Sequence, residues 1–212
     1  MRVVILGAGG HARVLLETLR VLGVPVVGFV APSAEGSRLG DVPWLGSDTA
    51  LSVLDDGVEV VNGVGSAGSA ERRAAAHATG KAAGLRFRTV VHPSAVVDGS
   101  AELGAGSQIL AGSLVGVAAR IGADVIVNSG AIVEHDCVVG AHSHVAPGAV
   151  LAGDVAVGES THIGLGSRVI QGVTIGSACV IGAGAVVLHD IPDGTTAVGV
   201  PARILSTERR DL

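Results

Sequence analysis

The residues with the most evident chemistry lie at positions 128–145, NSGAIVEHDCVVGAHSHV. This stretch contains three histidines and two acids, in a chain whose other side chains are mostly small and apolar. Such a set can bind a metal, act as a base with an orienting acid, or simply decorate a repeat. The pattern around these residues separates the three interpretations.

Composition restricts the fold. The chain has 212 residues and is 48% hydrophobic, yet it has two Phe, one Trp and no Tyr, so its core must consist of Val, Ile, Leu and Ala. With 33 glycines, frequent tight turns are favoured over a helical bundle. A net charge of −5 argues against nucleic acid as a partner. No apolar run suits membrane insertion, the N-terminus lacks a signal-peptide layout, and two cysteines favour a reduced, cytoplasmic protein.

A hexapeptide repeat fills the second half. Every sixth residue from Val91 to Val187 is aliphatic without exception, and the position four further on is usually small. This period predicts a parallel β-helix, with the aliphatic residue on the axis and the small one at a corner. The stacked coils would bury a continuous aliphatic column.

Strands and helices alternate in the first half. The sequence predicts strands in 1–10, 24–30 and 58–66 and helices in 11–23 and 69–84, with a short helix candidate in 48–55. This order predicts a small α/β domain with a parallel sheet, half of a Rossmann-like fold, over residues 1–90. Residues 91–212 would form the β-helix and a C-terminal tail.

The segment from Gly7 to Ala12 matches the pattern G-x-G-x-x-A between a strand and a helix. A dinucleotide site would need an acid at the end of the second strand, where the chain reads Phe29-Val30-Ala31-Pro32. A glycine turn at a helix N-terminus still favours phosphate. With Gly63–Ser66 beside it, this turn predicts a site for one nucleotide diphosphate or a similar anion.

The combination of GAGGHARVLLETL with NSGAIVEHDCVVGAHSHVAPGAVLAGDV resembles the sugar acetyltransferases of the sialic-acid O-acetyltransferase type. That group includes N-acetyltransferases of UDP- or GDP-linked 4-amino-sugars, and the resemblance covers nearly the whole chain. It implies a left-handed β-helix, an N-terminal domain that binds the nucleotide sugar, and acetyl-CoA held between the subunits of a homotrimer.

The resemblance also assigns the catalytic residues. His135 is the general base that takes a proton from the attacking amine or hydroxyl, a task suited to imidazole. Asp136 orients it, with Glu134 as the competitor for this role. Gly153 offers its backbone N–H to the thioester oxygen as an oxyanion donor.

The contact residues follow from the same family pattern and, for Gly9, Gly10, Gly65 and Ser66, from the two glycine segments. Predicted acetyl-CoA contacts are His144, Gly153, Leu165, Ala183 and Arg203. Predicted substrate contacts are Gly9, Gly10, His11, Gly65, Ser66 and Asn128. The resemblance favours the amine of a UDP- or GDP-linked 4-amino-sugar as the acceptor, with a sugar hydroxyl as the alternative.

Two other functions compete with acetyl transfer. One is a zinc enzyme of the gamma-class carbonic anhydrase type, with His142, His144 and His162 as ligands. The other is a scaffold that binds a nucleotide sugar without catalysis. We expect acetyl-CoA and no metal. His162 has no assigned role, and His77, His92, His142 and His189 are predicted to be surface residues.

Overall fold

The structure is a computed structural model that describes residues 2–33, 39–54, 57–66 and 70–205. Met1, residues 34–38, 55–56, 67–69 and 206–212 lie outside the described residues. The end of the predicted C-terminal tail, the end of the 48–55 helix candidate and the predicted start of the second helix fall within these gaps.

A parallel five-stranded sheet forms the N-terminal part, in the order β3-β2-β1-β4-β5. Its elements are β1 (Arg2–Leu6), α1 (Gly10–Val21), β2 (Val26–Val30), β3 (Trp44–Gly46), a 3₁₀ helix (Asp48–Val53), β4 (Val58–Asn62), α2 (Glu71–Ala82) and β5 (Arg86–Phe87). The central strand β1 is apolar from Val3 to Leu6 and almost fully buried, as expected for a strand covered on both faces. The three-residue strand β3 was not predicted, because so short a segment has no readable period.

The strand order reverses beside β1, because β2 and β4 pair with its two sides. In open parallel sheets, the crevice at such a switch point, beyond the carboxyl ends of the strands, is the usual ligand site. Here it lies between the turn after β1 and Gly63–Ser66, which follow β4. The topology therefore brings together the two glycine segments singled out in the sequence.

The second half is a left-handed parallel β-helix of triangular section, built from two-residue strands six residues apart. Residues eighteen apart pair in register, as His144 does with His162. Face 1 consists of β6 (Val90–Val91), β9 (Gln108–Ile109), β12 (Ile126–Val127), β15 (His144–Val145), β18 (His162–Ile163), β21 (Val180–Ile181), β23 (Thr196–Val198) and β24 (Arg203–Ile204). Face 2 consists of β7 (Val96–Val97), β10 (Leu114–Val115), β13 (Ile132–Val133), β16 (Val150–Leu151), β19 (Arg168–Val169) and β22 (Val186–Val187). Face 3 consists of β8 (Glu102–Leu103), β11 (Arg120–Ile121), β14 (Val138–Val139), β17 (Ala156–Val157) and β20 (Thr174–Ile175).

The predicted aliphatic column is confirmed. Fourteen of the seventeen residues, from Ile109 to Val187, are buried in one continuous cluster, and the first three, Val91, Val97 and Leu103, pack partly buried against its end. The small positions fill the corners, where Ala131, Cys137 and Ala149 are also buried. Each coil thus buries three aliphatic side chains against its neighbours, and this column supplies the rigid frame for the outward-facing polar residues.

The α/β part packs against face 1. The outward side chains of Val90, Leu110 and Ile126 belong to the same apolar cluster as Ile5 of β1 and Leu15 of α1. Polar residues of face 1 lie beside this cluster and reach the end of β4. The docking therefore places the crevice of the sheet directly against the solenoid.

Candidate active site

A cavity of about 1110 Å³ opens between the α/β part and face 1. Its lining joins the two glycine segments to the solenoid: Gly7, Gly9, Gly10, His11, Val14, Gly63, Val64, Gly65, Ser66, Glu71, Arg72, Asn128, Ser129, His144 and Pro147. All six predicted substrate contacts are in this set, along with one predicted acetyl-CoA contact, His144. The volume is large enough for a nucleotide-sized ligand.

The N-terminus of α1 opens into the cavity. Its N-cap residue Gly9 makes no side-chain cap, so the first-turn N–H groups stay available to a ligand. A Cβ placed on Gly9 or Gly10 would meet no atom within 4 Å. Glycine at these two positions therefore leaves open space, and the helix terminus favours an anion there.

Both ring nitrogens of His144 make hydrogen bonds. Its Nε2 lies 2.9 Å from Asn128 Nδ2, and the Asn128 side-chain oxygen already accepts from the Ser129 N–H at 2.8 Å. The amide therefore donates to Nε2, and Nδ1–H donates to Ser66 Oγ at 2.7 Å. Burial lowers the pKa of His144 to about 3, with positive charge on neighbouring histidines and Arg73 adding to the effect. His144 is thus a neutral connector between the two parts of the chain.

A second pair of groups lies on a different corner of the solenoid. His135 Nδ1 is 2.8 Å from Asp136 Oδ2, so the ring donates its Nδ1 proton and presents the lone pair of Nε2. This hydrogen bond raises the pKa of His135, and the charges of Asp136, Glu134 and Asp154 add to it. Asp136 occupies the left-handed turn position with φ +59°, a conformation that Asp tolerates. Glu134, the competitor, contributes only through its charge.

Glycines enclose His135 on the coil before and the coil after. A Cβ at Gly153 would overlap His135 Nε2 and Cε1, while one at Gly116 would overlap the backbone of Glu134 and His135. The imidazole therefore rests against Gly153 and projects into solvent, with 52% of its side chain exposed. No partner for the Gly153 N–H is found in the described part of the chain, as is usual at this turn position.

The predicted site residues fall into two groups. His135, Asp136 and Gly153 occupy the corner between faces 2 and 3, whereas Asn128 and His144 belong to face 1 and its border with face 2. A side of the triangle has six residues, up to about 20 Å at 3.3 Å per residue. Within one chain, the His135 corner is a different corner from the one beside the cavity, whose lining includes none of His135, Asp136 and Gly153.

The remaining predicted acetyl-CoA contacts follow the border of faces 1 and 2. Leu165 is 57% exposed, and Ala183 lies one coil above it, as the hydrogen bond from the Gly184 N–H to the Leu165 carbonyl shows. Arg203 is exposed in the β23–β24 hairpin that closes the solenoid. Leu165 and Ala183 thus form an apolar edge of the solenoid, and the guanidinium of Arg203 lies at its C-terminal end.

A buried ion pair locks the two parts together. Arg73 and Asp124 are fully buried and 2.7 Å apart, and Arg73 also donates to the carbonyls of Asn62 and Val64. Asn62 Nδ2 contacts both oxygens of Asp124 at 3.1 and 3.2 Å. Burial lowers the pKa of Arg73 to about 10, although the charge of Asp124 opposes the shift. A paired and fully hydrogen-bonded charge is the arrangement in which burial is tolerated.

The prediction that His142 and His77 are surface residues holds only in part, because both are half-buried. His142 Nδ1 lies 3.1 Å from Asp124 Oδ2, and His77 packs on Phe87 and, edge to face, on His142. Both lie at the boundary between the α/β part and the solenoid, because His142 stacks one coil above Asp124. His92 is half-buried and accepts from the Ser94 backbone, while His189 is exposed.

The metal hypothesis finds no support in the geometry. Within residues 2–33, 39–54, 57–66 and 70–205, no group of three or more His, Cys, Asp or Glu side chains is placed to hold a metal ion. His142 contacts Asp124, whereas both nitrogens of His144 contact other residues. His162 stacks edge to face on His144 with ring centroids 5.0 Å apart, and its buried Nδ1 has no hydrogen-bond partner among the residues that the structure describes.

Sequence reasoning missed the buried residues that join the two parts. Gln108, Asn62, Arg73 and Asp124 are each 0% exposed. Gln108 and Asp124 give a partial signal, because each interrupts the apolar and small residues of a coil with a polar side chain. Their partners on β4 and α2 are distant in sequence, so the pairing itself was not readable.

The fold and the two sites together define a class of protein, the acyltransferases built on a hexapeptide-repeat β-helix. Comparison with protein families supports this class. Residues 118–153 match the bacterial transferase hexapeptide family, and residues 2–76 match the PglD N-terminal domain. The search of curated proteins gave no match.

Solved structures give closer relatives. PerB from Caulobacter crescentus, in complex with CoA and GDP-perosamine, is 41% identical over 97% of this chain and 98% of that chain, with a TM-score of 0.90. The acetyltransferase domain of PglB from Neisseria gonorrhoeae, in complex with acetyl coenzyme A, is 34% identical over 96% and 98%, with a TM-score of 0.87. WeeI from Acinetobacter baumannii is 25% identical over 97% and 100%, also at 0.87.

The chain belongs to the hexapeptide-repeat family of nucleotide-linked amino-sugar N-acetyltransferases. It is an acyltransferase by this membership. Among the described residues, no helix is long and apolar enough to cross a membrane.

Proposed function

We propose that this protein transfers the acetyl group of acetyl-CoA to the amine of a nucleotide-linked 4-amino-sugar. The observation that carries the proposal is the His135–Asp136 pair, whose imidazole rests on Gly153 and engages Asp136 through Nδ1, which leaves Nε2 as the ring position that can take a proton. PerB, 41% identical, was solved with CoA and GDP-perosamine, which supports the amine acceptor over a sugar hydroxyl.

The cavity beside α1 is the proposed site for the nucleotide sugar. Its open glycine turn and free first-turn N–H groups suit a diphosphate, and Arg72 adds a cation at the lining. Ser66 accepts from His144 and so directs its own O–H elsewhere. These donors match an anionic, hydroxyl-rich ligand.

His135 is the proposed general base. A protonated amine does not attack a thioester, so a proton must leave the nitrogen before or during attack, and Nε2 is the available acceptor. Asp136 holds the ring in the tautomer that exposes Nε2 and stabilises the imidazolium that forms. The proton then passes to the departing CoA thiolate, so no covalent acetyl-enzyme is needed.

Gly153 has a second proposed role. As the carbonyl carbon becomes tetrahedral, its oxygen gains negative charge, and the Gly153 N–H is positioned beside the base to donate to it. This fits a turn position whose N–H lacks a partner in the described chain. The same glycine would thus support the base and bind the oxyanion.

The border of faces 1 and 2 is the proposed acetyl-CoA track. Leu165 and Ala183 provide apolar contact for the pantetheine arm, and Arg203 meets an anionic group of CoA. His144 and Gly153 complete the predicted set near the thioester. Since neither nitrogen of His144 is free, its contact would involve the ring carbons.

A homotrimer is the proposed active form. This form is supported by the separation of the two groups within one chain, because the lining of the cavity does not include His135. In a closed ring of three, the corner of each subunit can meet the face 1 region of the next. We also propose a cytoplasmic location, since Cys137 and Cys179 are free thiols, as usual in a reducing compartment.

Replacement of His135 by Ala tests the chemical role. We expect kcat to fall by about two orders of magnitude or more, the usual worth of general-base assistance. Calorimetry should show nearly unchanged acetyl-CoA affinity. Full activity in His135→Ala would reject His135 as the base, while loss of acetyl-CoA binding would indicate a structural role.

A further inference from the structure

A chain of buried hydrogen bonds crosses from the solenoid into the substrate cavity. Gln108, on face 1, donates from Nε2 to the Asn62 carbonyl at 2.8 Å, and its Oε1 lies 2.6 Å from His11 Nε2. The Asn62 carbonyl also accepts from Arg73 at 3.1 Å. His11 lines the cavity, so the chain connects the buried ion pair to the ligand site.

The geometry fixes the direction of each bond. A backbone carbonyl can only accept, so the amide nitrogen of Gln108 must face Asn62 and its oxygen must face His11. His11 therefore carries its proton on Nε2. Rotating the Gln108 amide would place its oxygen against the Asn62 carbonyl oxygen at a buried position, which would leave both without a donor.

This tautomer gives His11 an unprotonated Nδ1. No contact of Nδ1 is found in the described residues, and the ring lies in the cavity lining. Burial lowers the pKa of His11 to about 4, and Arg73 adds to the shift, while Gln108 and Asp124 oppose it. The ring is neutral at pH 7, so Nδ1 remains a hydrogen-bond acceptor.

His11 Nδ1 differs from the other polar groups of this cavity. The first turn of α1 presents N–H groups, Ser66 presents its O–H, and Arg72 presents a guanidinium. Ser66 and Ser129 can both donate and accept, whereas Nδ1 of the neutral ring is an uncharged acceptor that cannot donate. His11 Nδ1 thus selects the complementary feature of the substrate, an O–H or N–H group.

We propose that Gln108 is a positioning residue for substrate recognition: by accepting the His11 Nε2 proton, it holds Nδ1 as the acceptor for an O–H or N–H of the sugar nucleotide. This rests on the proposed function for the identity of the ligand. A residue of the solenoid thereby determines which ring nitrogen of His11, on the α/β part, can accept a hydrogen bond.

The test compares Gln108→Met, which removes both hydrogen bonds at similar volume, with the wild type. ¹⁵N NMR of the histidine rings without substrate should show loss of the pure Nε2–H tautomer of His11. The KM for the nucleotide amino-sugar should rise about tenfold, the worth of one hydrogen bond near 1.4 kcal/mol. The kcat and the KM for acetyl-CoA should stay within about twofold of wild type, because neither depends on this bond.

Two further variants separate positioning from general damage. Gln108→Glu, as the neutral acid, retains an acceptor facing His11 and an O–H that can donate to the Asn62 carbonyl, so the Nε2–H tautomer should persist and KM should recover towards wild type. His142→Asn disturbs the same boundary at Asp124 without contacting His11, so both readouts should match wild type. Equal impairment of Gln108→Met and Gln108→Glu would indicate a merely structural role and overturn the proposal.

Other outcomes are equally decisive. An unchanged tautomer in Gln108→Met, or a lost tautomer with an unchanged KM, overturns the proposal. If Gln108→Met does not fold, the tautomer in wild type and Gln108→Glu still decides it, since an Nδ1–H tautomer in either contradicts the assignment. Failure of the wild type to acetylate any nucleotide-linked amino-sugar rejects the proposed function instead. The NMR measurement of the His11 tautomer does not depend on that activity.

Discussion

The imidazole of His135 rests on the backbone of Gly153, one coil further along the solenoid. The contact is so close that a Cβ at Gly153 would overlap Nε2 and Cε1 of the ring. Stacking at an interval of eighteen residues thus turns a glycine into a support for the proposed base. The hydrogen bond to Asp136 fixes the ring on its other nitrogen.

Gly153→Ala should displace the His135 ring. The backbone at Gly153 is not left-handed, so the effect comes from the side-chain contact alone. We expect kcat to fall by about tenfold to a hundredfold, as for a displacement near 1 Å at a reacting group, with little change in thermal unfolding because the ring is exposed.

Gly99→Ala is the matched control for this change. Gly99 occupies the same corner three coils before Gly153, and a Cβ there would meet nothing within 4 Å. Its kinetics should equal those of wild type. Equal activity of Gly153→Ala and Gly99→Ala would show that the His135 ring need not rest on Gly153.

Asp136→Asn should move the pH profile. Asp136 raises the pKa of His135, and the base works unprotonated, so wild-type activity rises with pH as the proton leaves. Without the carboxylate the pKa falls, so the rising limb of kcat/KM should shift to lower pH while the plateau drops. Asn tolerates the left-handed backbone at this position.

Asp154→Asn provides the comparison. Asp154 has the same turn position one coil on, with φ +58°, and adds only a small charge effect on His135. The limb should move much less than in Asp136→Asn. A profile that is identical in wild type and Asp136→Asn would contradict the role of Asp136.

Mixed trimers should restore activity between two inactive variants. Gly10→Glu places a carboxylate in the open space at the α1 N-terminus, where it blocks an anionic ligand, whereas His135→Ala removes the base. If each site joins the corner of one subunit to the cavity of the next, every mixed trimer has one intact site, about a third of wild-type activity. Gly10→Ala, with space but no charge, should retain activity.

Co-refolding the two variants and measuring thiol release checks this expectation. No recovery in mixtures that form verified mixed trimers would place the base and the cavity of one chain in the same site. A monomer by sedimentation that is fully active would contradict the trimer itself.

The buried ion pair should dominate the stability of the boundary. Arg73→Met leaves Asp124 charged and buried without its main partner, which should lower the free energy of unfolding by about 3–5 kcal/mol. The neighbouring exposed Arg72→Met should change it by no more than about 0.5 kcal/mol. Urea unfolding of the two variants measures the difference, and equal values would show that the pair contributes little.

The sequence predicted the solenoid far better than the chemistry at its boundary. A strict six-residue period fixes both the fold and the inward column, because every coil repeats the same local geometry. His135 and Asp136 are adjacent in sequence, so their pairing was readable. The chain from Arg73 through Asn62 and Gln108 to His11 was not, because it depends on how the α/β part docks on face 1.

The same limit explains the errors. His142 and His77 looked like surface residues because each lies on a solvent-facing position of its own element. Docking of the α/β part brings their rings into contact and leaves both half-buried. The two hydrogen-bond partners of His144, Ser66 and Asn128, come from different parts of the chain and were equally unreadable.

The most direct measurement of the central claim is an acetyl-transfer assay with the purified wild-type protein. Acetyl-CoA is supplied with GDP-, UDP- or dTDP-linked 4-amino-sugars or with free sialic acid, and thiol release and product mass are followed. We predict stoichiometric thiol release and an N-acetylated product with at least one nucleotide-linked amino-sugar. The absence of thiol release with every one of these nucleotide-linked amino-sugars, or acetylation of a sugar hydroxyl instead of the amine, would contradict the account.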